Sequence, residues 1–127
     1  MWVIRLFLIL SVILAVAQPP AKAGIFRTGN GLWEACGADR SAEDYYTKYY
    51  QCSAYTIGAL DALEFVSMIE GRGECVPSST NVGQITDIVI LYLRNNPGKR
   101  HYPAPNVVAL AINEAFGCAI MPSPKPS

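Results

Sequence analysis

The chain has 127 residues, with ten Lys and Arg against ten Asp and Glu, so it carries no net charge at neutral pH. This balance lacks the excess of positive charge typical of nucleic-acid-binding proteins, so nothing in the composition points to such a partner. The length allows one small domain with a single hydrophobic core and excludes two such domains.

The first 23 residues are predicted to be a secretory signal peptide. A single Arg5 precedes an apolar run, residues 6–16, which is short for a membrane span and typical of a signal h-region. Small-x-small motifs follow at residues 15–17 and 21–23, and we favour cleavage after Ala23 because two prolines lie just behind the first motif. An uncleaved N-terminal anchor is the alternative. Removing Arg5 and Lys22 leaves eight Lys and Arg against ten Asp and Glu, a net charge of about minus two.

The remaining chain is predicted to be all-α, a small disulfide-stapled helical bundle of four to five helices around one long central helix. We expect this domain to span residues 24–118 and the proline-rich residues 119–127 to form a disordered tail. The central helix is predicted over residues 41–71, because Ser41 and Asp44 have capping-box spacing and Gly71 supplies a stop.

Helical spacing predicts which side of the central helix faces the core. Gly58 has small residues one turn before and after it, which predicts a close crossing with another helix. The apolar stripe expected to face inward consists of Tyr55, Ala59, Ala62, Val66 and Ile69, widened by Cys52, Thr56 and Leu63.

Three further helices are expected. A short one covers residues 32–36, with Asn30 as its cap and Trp33 in the core. Asn81 and Gln84 form a second capping-box pattern and begin a helix that runs to about Asn95. Its inward residues are predicted to be Val82, Ile85, Ile88, Val89 and Leu93. A last helix has Pro105 in its first turn and ends near Gly117.

The four cysteines are an even number in a chain predicted to be exported, so two disulfides are expected. A continuous helix from Cys52 to Gly71 spans about 28 Å. The residues from Gly71 to Cys75 return at most about 14 Å, which argues against a Cys52–Cys75 bond. The last two helices should be antiparallel, which brings Cys118 near Cys75 and leaves Cys36 to pair with Cys52.

The residues that could carry catalysis form no recognisable centre. His101 is the single histidine and, if both disulfides form, has no thiolate partner. The sequence has no G-x-S-x-G element and no closely spaced cysteine pairs of the zinc-site kind. A glycosidase-type carboxylate pair is not favoured by any feature, and Asp61 is interpreted as a hydrogen-bond acceptor within the fold. We therefore predict no enzyme activity, no metal and no cofactor.

Two segments are candidates for contact with a protein partner. Four tyrosines, Tyr45, Tyr46, Tyr49 and Tyr50, begin the central helix and cannot all be buried on one stripe, so at least one pair should be partly exposed. The alternative is simple cover over the first short helix.

The second segment is the loop of residues 95–102, which is predicted to project with much of the positive charge of the domain. The alternative is a solvated connector whose cations complement the preceding helix end. The predicted contact residues are Lys99, Arg100, His101 and Tyr102, joined by Tyr46 and Tyr50.

Several motifs resemble the Rap/Tai immunity proteins of type VI secretion. They are Cys52-Ser53-Ala54-Tyr55-Thr56-Ile57-Gly58-Ala59-Leu60-Asp61-Ala62, Cys75-Val76-Pro77, Gly83-Gln84-Ile85, Asp87-Ile88-Val89, Tyr92-Leu93, Asn96-Pro97, Arg100-His101 and Ala115-Phe116-Gly117-Cys118. The resemblance covers about residues 28–118. It departs at Ser53-Ala54, where the family often has an apolar residue and Gly, and in the tyrosine cluster and the tail.

The resemblance implies an all-helical periplasmic protein, often a homodimer, that binds a cell-wall amidase effector and plugs its active-site groove with a loop. It implies neither catalysis nor a cofactor. A small exported helical stress protein or acid-type chaperone is the alternative. A chaperone of that type should expose apolar surface at low pH, whereas an inhibitor should bind one partner at neutral pH.

Overall fold

Four α-helices and one short 3-10 turn make up the computed structural model, which describes residues 27–121. The helices are α1 (Gly29–Cys36), α2 (Tyr45–Ile69), α3 (Val82–Asn95) and α4 (Ala104–Phe116), and the 3-10 turn is Pro97–Lys99. No β-strand occurs within residues 27–121, so the all-α prediction is confirmed. The predicted signal peptide, residues 1–23, and residues 122–127 of the predicted tail lie outside the described residues.

Helix α1 begins earlier than predicted because Thr28, not Asn30, is its cap. The Thr28 hydroxyl accepts a hydrogen bond from the Gly31 backbone amide at 3.3 Å. The backbone amide of Asn30 donates to the Arg100 carbonyl. The helix ends at Gly37, as predicted.

Helix α2 begins at Tyr45, four residues later than predicted. The Ser41 amide donates to an Asp39 carboxylate oxygen at 2.8 Å and the Ser41 hydroxyl donates to the same oxygen, so Ser41 closes a local turn and caps no helix. Asp44 occupies the cap position without a side-chain hydrogen bond. At the other end Gly71 has a φ of +70°, a left-handed conformation that favours glycine, and the predicted stop holds.

The inward side of α2 differs from the predicted stripe. The buried residues of α2 are Cys52, Ser53, Thr56, Leu60 and Ser67. Of the predicted stripe, Cys52 and Thr56 are buried as expected, but Ala62 and Ile69 are exposed and Tyr55, Ala59, Leu63 and Val66 are only half-buried. The disulfide at Cys52 and a hydrogen bond between the Thr86 and Ser53 hydroxyls at 3.0 Å fix the rotation of α2 and turn this other side inward.

Gly58 is not a helix crossing point, which corrects the prediction. It is exposed, and a Cβ atom placed there would meet no atom within 4 Å. The small residues around Gly58 therefore lie on an open surface.

The core is formed mainly by α3, α4 and the inner side of α1. Helix α3 has the predicted capping box. The backbone amide of Gln84 donates to Asn81 Oδ1 at 3.0 Å, and the backbone amide of Asn81 donates to Gln84 Oε1 at 2.9 Å. Val82, predicted to face inward, is 54% exposed because it lies in the first turn beside the capping residue. The largest fully buried aliphatic side chains are Leu32, Val89, Leu93, Val107, Val108, Ile112 and Ile120.

Both disulfides have the predicted pairing. Cys36 is bonded to Cys52 with their Cα atoms 4.9 Å apart, and Cys75 is bonded to Cys118 with their Cα atoms 5.7 Å apart. By the loop-entropy estimate each stabilises the domain by about 3 to 4 kcal/mol. The first bond holds α1 to α2, and the second holds the α2–α3 connector to the end of α4.

Packing continues beyond Cys118, the predicted end of the domain. Ile120 is fully buried, and its amide donates to Asn113 Oδ1 at 2.8 Å. The Arg72 guanidinium donates to the carbonyl of Ala119 and forms an ion pair with Glu70 at 2.7 Å. The contacts of Arg72 and Asn113 hold Ala119 and Ile120 in place.

By length and composition α2 could cross a membrane, alone among the helices within residues 27–121. Long core helices of soluble proteins share these properties. Its disulfide to α1 and its packing against α1, α3 and α4 give α2 a structural role within the bundle.

Candidate functional site

The described residues contain no obvious reactive centre. Within residues 27–121 no group of three or more His, Cys, Asp and Glu side chains could hold a metal ion, and every cysteine is in a disulfide. His101 is exposed, with its ring edge against Tyr102 at a centroid separation of 4.4 Å. The candidate sites described below are the two surfaces predicted to contact a protein partner and a third on α2.

The loop of residues 95–102 lies against α1 and does not project as predicted. The Gly29 amide donates to the Tyr102 carbonyl at 2.8 Å, and the Asn30 amide donates to the Arg100 carbonyl at 2.6 Å. A Cβ atom at Gly29 would lie 2.7 Å from the Arg100 carbonyl oxygen, so this close approach requires glycine. The start of α1 and the loop thus form one bonded unit.

Arg100, predicted to contact a partner, is instead committed inside this unit. Its guanidinium lies 4.0 Å from the centroid of the Trp33 ring, and its Nε donates to the Leu93 carbonyl at 2.8 Å. Trp33, predicted to be a core residue, is half-buried beneath this guanidinium. Arg100 therefore positions the loop, with its half-buried side chain held by Trp33 and the Leu93 carbonyl.

Three residues of the predicted contact set remain accessible on the loop. Lys99 is exposed with its Nζ 5.8 Å from the centroid of the Tyr92 ring, and His101 and Tyr102 are also exposed. The other two predicted contacts, Tyr46 and Tyr50, line a different surface.

That surface is a cleft of about 710 Å³ between the end of α1, the start of α2 and the second half of α3, here named the tyrosine groove. Tyr46 and Tyr50 are 71% and 67% exposed, whereas Tyr45 and Tyr49 are half-buried. The prediction that at least one tyrosine pair is exposed is confirmed. Neighbouring rings lie 5.3 to 6.0 Å apart between centroids, so the four rings support one another.

Charged residues that the sequence analysis missed complete the groove. Arg40 comes from the α1–α2 connector, and Asp87 and Arg94 come from α3. Hydrogen-bonded Ser53 and Thr86 fix the antiparallel register of α2 and α3, which brings Arg94 beside the tyrosines. The seven-residue spacing of Asp87 and Arg94 places both on one side of α3, a signal that was available from the sequence.

A second surface follows the outer side of α2 and was also missed. A shallow apolar trough of about 450 Å³ runs along this side. It is lined by Ala54, Tyr55, Gly58, Ala59, Ala62, Leu63, Val66 and Pro105. Towards the end of α2, Phe65, Met68 and Ile69 are 58% to 68% exposed. Asp61 is exposed too, so the fold does not require its carboxylate as a buried acceptor.

The rim of the trough is marked by Tyr55 and Arg27. The Arg27 guanidinium carbon lies 5.4 Å from the centroid of the Tyr55 ring. Partial burial raises the pKa of the Tyr55 phenol above its ordinary value of 10.0, and the positive charge of Arg27 offsets part of that rise.

Comparison with known proteins assigns the chain to a family. No curated protein and no solved structure matches the chain significantly. The family model described as Rap1a immunity proteins matches residues 28–118, which includes α1 to α4 and all four cysteines. Because this match covers well over half of the sequence, the chain belongs to the Rap1a immunity protein family.

Proposed function

We propose that this protein is an exported immunity protein that binds and inhibits a cell-wall peptidoglycan amidase effector of a type VI secretion system. The observation that carries the proposal is the family match over residues 28–118, because an immunity protein acts by binding a protein effector. The proposed activity is stoichiometric binding without catalysis or a cofactor.

The proposed place of action is the periplasm. A cell-wall amidase meets its substrate there, and the two disulfides suit an oxidising compartment. The predicted signal peptide, residues 1–23, would supply the export.

The proposed effector contacts are Tyr46 and Tyr50 in the tyrosine groove and Lys99, His101 and Tyr102 on the loop. All five are exposed, and tyrosine is enriched among residues that dominate binding energy. Arg100 supports the loop from below through Trp33 and Leu93. Inhibition would follow if the bound immunity protein covered the active-site groove of the amidase.

We also propose that two copies pair through the apolar trough of α2. Exposed Phe65, Met68 and Ile69 continue the trough into a larger apolar surface, and such surfaces commonly mark protein interfaces. A Gly58→Glu substitution would place a charge in the middle of this surface, where it has open space in the monomer. It should convert a dimer into a folded monomer in light-scattering chromatography, and an unchanged mass would refute this interface.

The central test uses amidase-like proteins encoded beside this gene. Each is directed to the periplasm of a test bacterium with and without residues 24–127, and lysis is followed by optical density. The proposal expects rescue, a one-to-one complex and lost amidase activity in vitro. If this protein neither binds nor protects against any of them, and instead prevents unrelated proteins from aggregating at low pH, the stress-protein alternative is correct.

A further inference from the structure

The tyrosine groove combines aromatic rings with two arginines in its lining. We infer that this groove is the principal docking site for an acidic segment of the effector, in which a carboxylate lies beside an aromatic or aliphatic side chain. The inference rests on the proposed function for the identity of the partner, but the chemistry of the segment follows from the groove itself.

The exposed rings provide an apolar binding surface that keeps polar groups at its edge. Tyr46 and Tyr50 lie one helical turn apart, and each packs edge-on against a half-buried neighbour, Tyr45 or Tyr49. Such packing reduces the rotamer freedom that binding would otherwise remove. Leu91, 54% exposed, extends the apolar lining on the α3 side.

The guanidinium groups give the groove its charge preference. Arg40 and Arg94 make no ion pair with any carboxylate among residues 27–121, where the ion pairs are Lys48 with Asp44 and Arg72 with Glu70. Asp39, beside Arg40 in the sequence, has a carboxylate oxygen occupied by the Ser41 amide and hydroxyl. Both guanidinium groups are therefore available to pair with a carboxylate, which Arg binds well through parallel hydrogen bonds.

Asp87 sets the direction in which an acidic segment can lie. It is seven residues before Arg94 on α3, about 10 Å along the helix axis. A carboxylate is attracted to the end of the groove that carries Arg94 and repelled at the end that carries Asp87. The occupant should therefore place its acidic group beside Arg40 and Arg94 and its backbone or side-chain donors beside Asp87.

The size of the groove indicates the kind of segment. A volume of about 710 Å³ accommodates a few side chains and is within the range of ordinary binding pockets. It suits a loop or an extended stretch of the effector, whereas the rest of the interface would form on the surrounding surface.

The first test uses a defined probe and needs no effector. Nuclear magnetic resonance titrations compare a blocked pentapeptide with Phe between two Glu on each side against the same peptide with Gln or Lys in place of Glu. The acidic peptide should bind about tenfold more tightly than the Gln peptide and shift the signals of Tyr46, Tyr50 and Arg94. Equal binding of the Glu and Gln peptides, or shifts confined to the α2 trough, would overturn the inference.

The matched variants each remove one positive charge. Arg40→Gln and Arg94→Gln should each weaken acidic-peptide binding about fivefold with an unchanged circular dichroism spectrum. Arg27→Gln removes the same charge at the rim of the α2 trough, away from the groove lining, and should change binding less than twofold. A loss in the Arg27 variant as large as in the Arg40 and Arg94 variants would reduce the effect to overall charge and refute the inference.

The second test uses the amidase found in the test of the proposed function. The Arg40→Gln and Arg94→Gln double variant should weaken that complex at least twentyfold, mostly through faster dissociation. If the amidase binds the double variant as tightly as the parent chain, the groove inference fails while the proposed function stands. If no amidase binds the parent chain, the proposed function fails, and the peptide titrations still decide the groove.

Discussion

The side of α2 that faces the core is more polar than the side that faces solvent. The inner side carries three buried hydroxyl residues, Ser53, Thr56 and Ser67, with Leu60 among them. The outer side carries the apolar trough and then Phe65, Met68 and Ile69 in contact with solvent. The buried hydroxyls thus face the core, whereas much of the apolar side is exposed.

This difference shows that specific bonds outweigh hydrophobic periodicity in a helix that is apolar nearly all round. On the inner side the Cys36–Cys52 disulfide, the Thr86–Ser53 hydrogen bond and a Ser67 hydrogen bond to the Gly73 carbonyl at 3.0 Å hold α2 in place. The apolar outer side is then left available for association.

The strongest test of the comparison truncates one large side chain on each side. Leu60 is 6% exposed and Phe65 is 58% exposed. Leu60→Ala should lower the free energy of unfolding by about 2 to 5 kcal/mol, whereas Phe65→Ala should change it by less than about 1 kcal/mol. Denaturant unfolding at concentrations where the protein is monomeric measures both. Equal losses would mean that the outer side is covered within the monomer.

Two glycine substitutions test whether an added methyl group has room at each position. Gly58→Ala should stabilise the domain by about 1 kcal/mol, because helix propensity rises and the new methyl group meets open space. Gly29→Ala should destabilise it by about 1 to 3 kcal/mol, because the Cβ atom would lie 2.7 Å from the Arg100 carbonyl oxygen. Thermal unfolding distinguishes them by opposite shifts in Tm, and shifts of the same sign would contradict the open trough.

The buried hydroxyls allow a finer comparison within the inner side. Thr86 Oγ1 donates to Ser53 Oγ and lies 2.8 Å from the Val82 carbonyl, whereas buried Thr56 Oγ1 has no hydrogen-bond partner among residues 27–121. Thr86→Val should therefore cost about 1 to 2 kcal/mol, and Thr56→Val should be neutral or stabilise by up to about 1 kcal/mol. Chemical denaturation of both variants is the measurement. A larger loss at position 56 would reveal a hydrogen bond to Thr56.

The smallest effect concerns Tyr55 at the rim of the trough. Burial raises the pKa of its phenol in the folded state, so the associated stability is present below pH 10.0 and is lost as pH rises through the folded-state pKa. Arg27→Gln removes the charge that offsets this rise and should move the pKa of Tyr55 still higher. Ring signals of Tyr55 followed by magnetic resonance from pH 8 upward measure the shift. An unchanged or lower pKa would show that Arg27 does not act on this ring.

The parts of the fold that were predictable depend on local chemistry. The Asn81 and Gln84 capping box, the glycine stops and the cysteine pairing follow from spacing and helix length, and each is present. The predicted start of α2 was wrong because Ser41 hydrogen-bonds to Asp39. The predicted rotation was wrong because a residue remote in sequence, Thr86, hydrogen-bonds to Ser53 and sets it. Such contacts join residues whose proximity no local pattern reveals.

The candidate surfaces were predictable only in part. Exposure of a tyrosine pair followed from the density of the cluster, but the commitment of Arg100 to Trp33 depends on a stacking contact between two elements. No local sequence pattern connects Arg40 with Arg94, and only the assembled groove includes both in one lining.

The order of the disulfides along the chain has a consequence for biogenesis. Each bond joins consecutive cysteines, Cys36 with Cys52 and then Cys75 with Cys118. In a chain that emerges from a translocon amino end first, each cysteine of these pairs meets its proper partner before the next cysteine arrives. Oxidation in order of appearance therefore gives the native pairing directly. A chain exported as proposed should require a thiol oxidase but no disulfide isomerase for its maturation.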